Sequence, residues 1–96
     1  MNEDPGGLKP SIGRVAELAA AVARRRKELR LPQSELAVLA GCSERFVHTV
    51  EHGKETLRLD KLLDVLEVLG LGLFVGPGAG VVKADRDRRE AGRQDA

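Results

Sequence analysis

Aromatic and sulfur-bearing side chains are almost missing from this chain. Its 96 residues include no Trp, no Tyr, two Phe, one Cys and one Met. The shortage of aromatic platforms argues against recognition of RNA or single-stranded DNA through stacked bases. A β-sandwich is disfavoured as well, because its strands draw on aromatic and β-branched runs. A lone cysteine, Cys42, rules out an intrachain disulfide and fits a reducing compartment. No apolar run approaches the ~20 residues of a membrane-spanning helix. The opening MNEDPGGLKP carries acids and glycines where a secretory leader has a basic start and an apolar core. A cytoplasmic location with no membrane association is expected.

Catalytic patterns are missing too. No Ser-His-Asp arrangement, glycine-rich phosphate loop or pocketed carboxylate pair can be read from the sequence. The glycines of GLGLFVGPGAG do not open a helix, so they are no dinucleotide fingerprint. His48, His52 and Cys42 are close in sequence, but a convincing fourth zinc ligand is lacking. The expectation is a non-enzymatic protein with no metal, cofactor or small-molecule substrate.

What is present points to helices. Hydrophobic residues make up 42% of the chain, mostly Leu, Val and Ala, which suits a small helical bundle. At this length one core is marginal, so self-association is expected. Net charge is only +1, but it is unevenly spread. Between positions 13 and 54, eight Lys and Arg face five acids, while the rest of the chain is net acidic. The basic excess therefore lies on one segment, as a polyanion-binding unit requires.

Residues 1–11 read as a flexible Gly/Pro-rich arm and 12–70 as the folded domain. The spacing of Val15, Leu18, Ala19, Val22 and Leu29 predicts a first helix, capped by Ser11 and closed by Arg24-Arg25-Arg26-Lys27. Leu31-Pro32 interrupts it. A second helix is predicted from Gln33 to Ala40, with Leu36, Ala37, Leu39 and Ala40 inward and Gly41 ending it. Ser43 caps a third, from Glu44 to His52, with Val47 and Val50 inward. A fourth runs from Leu59 to Leu69, with Leu59, Leu62, Leu63, Leu66 and Leu69 on its core face. Residues 71–76 alternate and read as a strand. A lone strand leaves its backbone groups unsatisfied, so Leu71, Leu73, Phe74 and Val75 are expected to pair with a second copy across a homodimer axis. Residues 77–96 read as a flexible, charge-alternating tail.

LPQSELAVLAGCSERFVHTVEHGK, 31–54, thus holds two short helices around a glycine turn, the layout of a helix-turn-helix. With Leu31, Gln33, Leu36, Ala37, Gly41, Ser43, Val47, Glu51, Gly53 and Lys54 in place, the chain resembles the phage-repressor, or XRE, family. RRRKELRLPQSELAVLAGCSERFVHTVEHGK leading into ETLRLDKLLDVLEVLGLGL resembles, more narrowly, the HipB-type antitoxins. That resemblance implies an all-α domain of four helices with a C-terminal strand. It also implies a dimeric autorepressor that binds double-stranded operator DNA and a HipA-like Ser/Thr kinase toxin. Two departures stand out: Pro32 replaces the usual Thr or Asn cap, and Glu44 puts an acid at the start of the recognition helix.

The resemblance implies that Gln33 bonds a DNA phosphate and that Glu44, Arg45 and Thr49 read bases. It also implies a partly buried ion pair between Arg26 and Glu51. Arg45 is suited to guanine, Glu44 to cytosine N4 and Thr49 to a thymine methyl. Ser43 caps the helix and is placed to touch DNA, His48 shares the outer face, and Lys54 is a phosphate candidate. Arg24, Arg25, Lys27 and Arg30 stay open between phosphate contact and a solvated face. Two alternatives to the antitoxin remain: a stand-alone repressor, and an adaptor that keeps the fold for protein contacts.

Overall fold

The computed structural model describes residues 13–84. They form four helices: α1 Ala16–Glu28, α2 Gln33–Ala40, α3 Glu44–Glu51 and α4 Leu59–Leu69. Among the described residues no strand forms, and no helix is long and apolar enough to cross a membrane.

Local chemistry sets these boundaries. Pro32, at φ −65°, leads into α2, which stops at Gly41, where φ is +71°. The Ser43 hydroxyl accepts the Phe46 N–H at 3.0 Å and so starts α3 one turn later. α1 begins only at Ala16, with Val15 at its N-cap position and no side-chain cap, so Ser11, the expected cap and itself outside the described residues, does not open it. Its ends are instead matched to the helix dipole, with Glu17 in the first turn and Arg25, Arg26 and Lys27 in the last.

α1 packs on α3 and α4, and α2 on the same two helices. Val22, Leu36, Val47, Val50, Val65 and Leu69 are fully buried, so the centre is wholly aliphatic. Three leucines expected inside lie elsewhere: Leu39 and Leu59 are each 56% exposed and Leu63 44%. Leu39 and Leu63 stand about a quarter-turn from the middle of their helices' buried stripes, at 3.6 residues per turn. Leu59 opens its helix and has no turn before it to cover it. Val65 takes the central place instead. Leu29, at the end of α1, is also 39% exposed.

Beyond α4 the chain runs back toward the start of α1. Residues 71–76 are neither helix nor strand. A strand needs a neighbouring ladder, and among the described residues the chain supplies none. Val82 then donates its N–H to the Arg14 carbonyl at 3.0 Å and packs half-buried on the core. The Ala84 N–H donates to Glu17 Oε1 at 2.7 Å. Residues 81–84, expected in a flexible tail, are therefore seated on α1; residues 85–96 lie outside the described residues.

Candidate nucleic-acid interface

The outer side of α3 and the first turn of α2 share one shallow groove, lined by Gln33, Glu44, Arg45, His48 and Thr49. Ser43 and Lys54 flank α3, outside that groove and exposed. The inward side of α3 carries Val47 and Val50, so burial of these two valines determines which residues face out.

A partly buried polar network holds the groove in place. Arg26 of α1 meets Glu51, at the end of α3, through two parallel contacts: Nε to Oε2 at 2.6 Å and Nη2 to Oε1 at 3.0 Å. The side chains are 13% and 7% exposed. Arg26 also donates to the Leu31 carbonyl at 2.8 Å, and Gln33 Nε2 donates to Glu51 Oε1 at 3.0 Å. The Glu51 carboxylate thus ties α3 to α1 and α2, and Arg26 extends the network to the turn before α2. Burial alone would raise the Glu51 carboxyl. The hydrogen bonds from Arg26 and Gln33, with the nearby charges of Arg26 and Lys27, outweigh burial and hold it below the ordinary glutamate range. The hydrogen bond to Glu51 raises Arg26 in turn, against the opposing effect of its burial.

Gln33 is therefore both a groove residue and a network member. Its amide spends one donor on Glu51, and an amide nitrogen carries two. Thr49 Oγ1 donates to the Arg45 carbonyl one turn back at 2.8 Å, which anchors the hydroxyl to its own helix. Arg45 and Glu44 are exposed and have no side-chain partner among the described residues. Glu44 lies in the first turn of α3, where the helix dipole favours an acid. His48 and His52 bring their rings within 3.9 Å of each other, and His52 Nδ1 bonds the His48 carbonyl at 2.8 Å.

The basic residues around α1 divide by role. Arg25 donates from Nε to the Leu69 carbonyl at 2.8 Å, capping the end of α4, and pairs with Glu28. Arg24, Lys27 and Arg30 are exposed. Lys61, which the sequence did not single out, donates to the Gly41 carbonyl at 2.9 Å and so braces the turn between α2 and α3 from α4. Neither role had a sequence signal, since each depends on which helix end lies nearby in space. Cys42, in the same turn, is half-buried against the core; burial raises its thiol, with Lys61 opposing. Among the described residues no group of three or more His, Cys, Asp or Glu is placed to hold a metal ion.

The comparisons agree with this geometry. Residues 17–73 match the family model described as a helix-turn-helix domain, a span that covers α1 to α4 and the residues just beyond. An uncharacterized HTH-type transcriptional regulator of Sinorhizobium fredii, y4mF, is 42% identical over 64 residues, covering 66% of this chain and 84% of that protein. With α3 capped by Ser43, presented outward and locked to α1 through Glu51, the chain belongs to the helix-turn-helix domain family.

Proposed function

We propose that this protein is a sequence-specific DNA-binding transcriptional repressor that acts as a homodimer. The observation that carries the reading is the groove of Gln33, Glu44, Arg45, His48 and Thr49, formed between the start of α2 and the outer side of α3 and braced by a partly buried polar network. A base-reading helix must hold its side chains in register with the major groove, and this network supplies that rigidity.

Each residue has a role in this reading. Gln33 uses its second amide hydrogen on a phosphate at the start of α2, where the helix dipole also favours an anion. Lys54 takes another phosphate, and Ser43 caps α3 beside the backbone. Arg45 reads guanine O6 and N7, Glu44 accepts from cytosine N4, and Thr49 turns its methyl to thymine. His48 completes the outer face. In the dimer, Leu73, Phe74 and Val75 pair with the same segment of a second copy; supporting this, Val75 is 97% exposed in the single chain, whereas Leu71, expected in the pairing, packs on its own core with its N–H on the Leu66 carbonyl. The two recognition helices then lie about 34–36 Å apart, or a multiple of that.

Selection from a random duplex library tests this directly. The expected product is a pseudo-palindrome with half-sites at that spacing. Its affinity should fall about 10³–10⁵-fold between 50 and 200 mM salt if six to ten phosphates are neutralised. Recovery of no enriched sequence would favour the adaptor reading instead.

Within this function we place the protein as a HipB-like antitoxin that represses its own operon and neutralises a HipA-like kinase. The support is the likeness of 24–54 and its continuation through α4 to that group. Purification from the native host should return a HipA-like kinase, identified by mass spectrometry. Its absence, with operator DNA still bound, would leave a stand-alone repressor.

A further inference from the structure

We infer that His48 and His52 form a two-histidine site for a divalent transition-metal ion such as Ni²⁺ or Zn²⁺. His48 lies on α3 and His52 is the residue that closes it, four positions on, so their side chains stand on the same side. Their rings are 3.9 Å apart between centroids and tilted by 33°. Both side chains are exposed, so a hydrated ion has access. His52 Nδ1 bonds the His48 carbonyl at 2.8 Å. A carbonyl only accepts, so Nδ1 carries the hydrogen and Nε2 presents its lone pair outward. Metal-binding histidines are commonly prepared in this way, with the second ring nitrogen held by a backbone carbonyl. No ring-nitrogen bond holds His48 among the described residues. With the rings this close, an ion bound by both Nε2 atoms would sit about 2.0–2.1 Å from each. Water fills the remaining positions. Imidazole suits nickel, copper and zinc over magnesium or calcium, which take oxygen ligands.

This site differs from a closed zinc centre that would need Cys42. It stands independently of DNA binding, but its consequence rests on that reading: His48 also lines the base-reading groove, so an ion that engages it removes it from the operator surface.

Calorimetric titration of the full chain with Ni²⁺ or Zn²⁺, without DNA, tests the site. One ion per chain is expected at micromolar concentration. His52→Gln and His48→Gln should each weaken binding by at least about tenfold, while Cys42→Ser leaves it unchanged. Circular dichroism checks that the variants fold. Absence of binding by the natural chain, or binding that survives both histidine changes, would overturn the inference. Failure of operator binding alone would leave the metal site standing.

Discussion

At the residue scale, Glu51 is the central side chain. It accepts from Arg26 and Gln33, and its own helix carries the face proposed to read bases. Truncating one partner of this partly buried pair leaves the other charge poorly solvated, so Arg26→Ala or Glu51→Ala should cost about 3 kcal/mol of stability, the low end for a buried pair because both side chains keep some contact with solvent. The pH dependence follows from the lowered Glu51 carboxyl. A carboxyl held lower in the folded than in the unfolded chain contributes stability that is fully present above its unfolded value. That contribution is lost as pH falls through the folded value. Urea unfolding across the acid range should show this loss in the natural chain and a flatter profile in Glu51→Gln. Equal slopes for both would show that other carboxylates govern acid unfolding.

At the element scale, all four helices close with the same pair of backbone bonds, but only three close on glycine. At α1 the Leu31 N–H reaches the Arg26 carbonyl and the Arg30 N–H reaches Lys27, with Arg30 at φ +60°. Gly41, Gly53 and Gly70 hold that left-handed position in the others. A side chain there carries backbone strain that glycine avoids, partly offset by glycine's freedom in the unfolded chain. Arg30→Gly should therefore raise stability by roughly 0.5–1 kcal/mol, read as a higher melting temperature. No gain would mean that the arginine makes compensating contacts in the folded state.

Helix ends were the most legible feature of the sequence. Gln33–Ala40 matches its expected span because Pro32 and Gly41 bound it, and Leu59–Leu69 stops where Gly70 stands, whereas α1 starts at Ala16 and not just after Ser11. α3 ends at Glu51, one residue short of its expected end, since His52 already leaves helical geometry. Helix faces were less legible. α4 contains Leu59, Leu62, Leu63, Val65, Leu66, Val68 and Leu69, so apolar residues cover more than one stripe. Which of them is buried depends on where α1 and α2 lie, and Val65 rather than Leu59 or Leu63 went inside. The Arg25 cap on α4 escaped for the same reason: charge runs do not reveal which helix end comes near.

At the scale of the whole molecule, the described core is aliphatic and small, and apolar side chains remain outside it. Leu73 is 40% and Val75 97% exposed, beyond the last helix. Pairing of this segment with a second copy would cover them and extend the fold. Val75→Glu should then shift the protein from dimer to monomer in analytical ultracentrifugation and weaken operator binding, since two half-sites would no longer be engaged together. A dimer unchanged by Val75→Glu and by Leu73→Asp would place the dimer interface elsewhere. Residues 81–84 show the same dependence on tertiary context: their composition reads as tail, yet Val82 and Ala84 bond to the start of α1.

The most direct test of DNA recognition through α3 is titration of a selected operator duplex with the natural chain and with Arg45→Ala, after matched melting curves show both folded. Base reading by Arg45 predicts a loss of about 1–3 kcal/mol in binding, with relaxed preference at one base pair of each half-site. Identical affinity and identical sequence preference for the two proteins would contradict it.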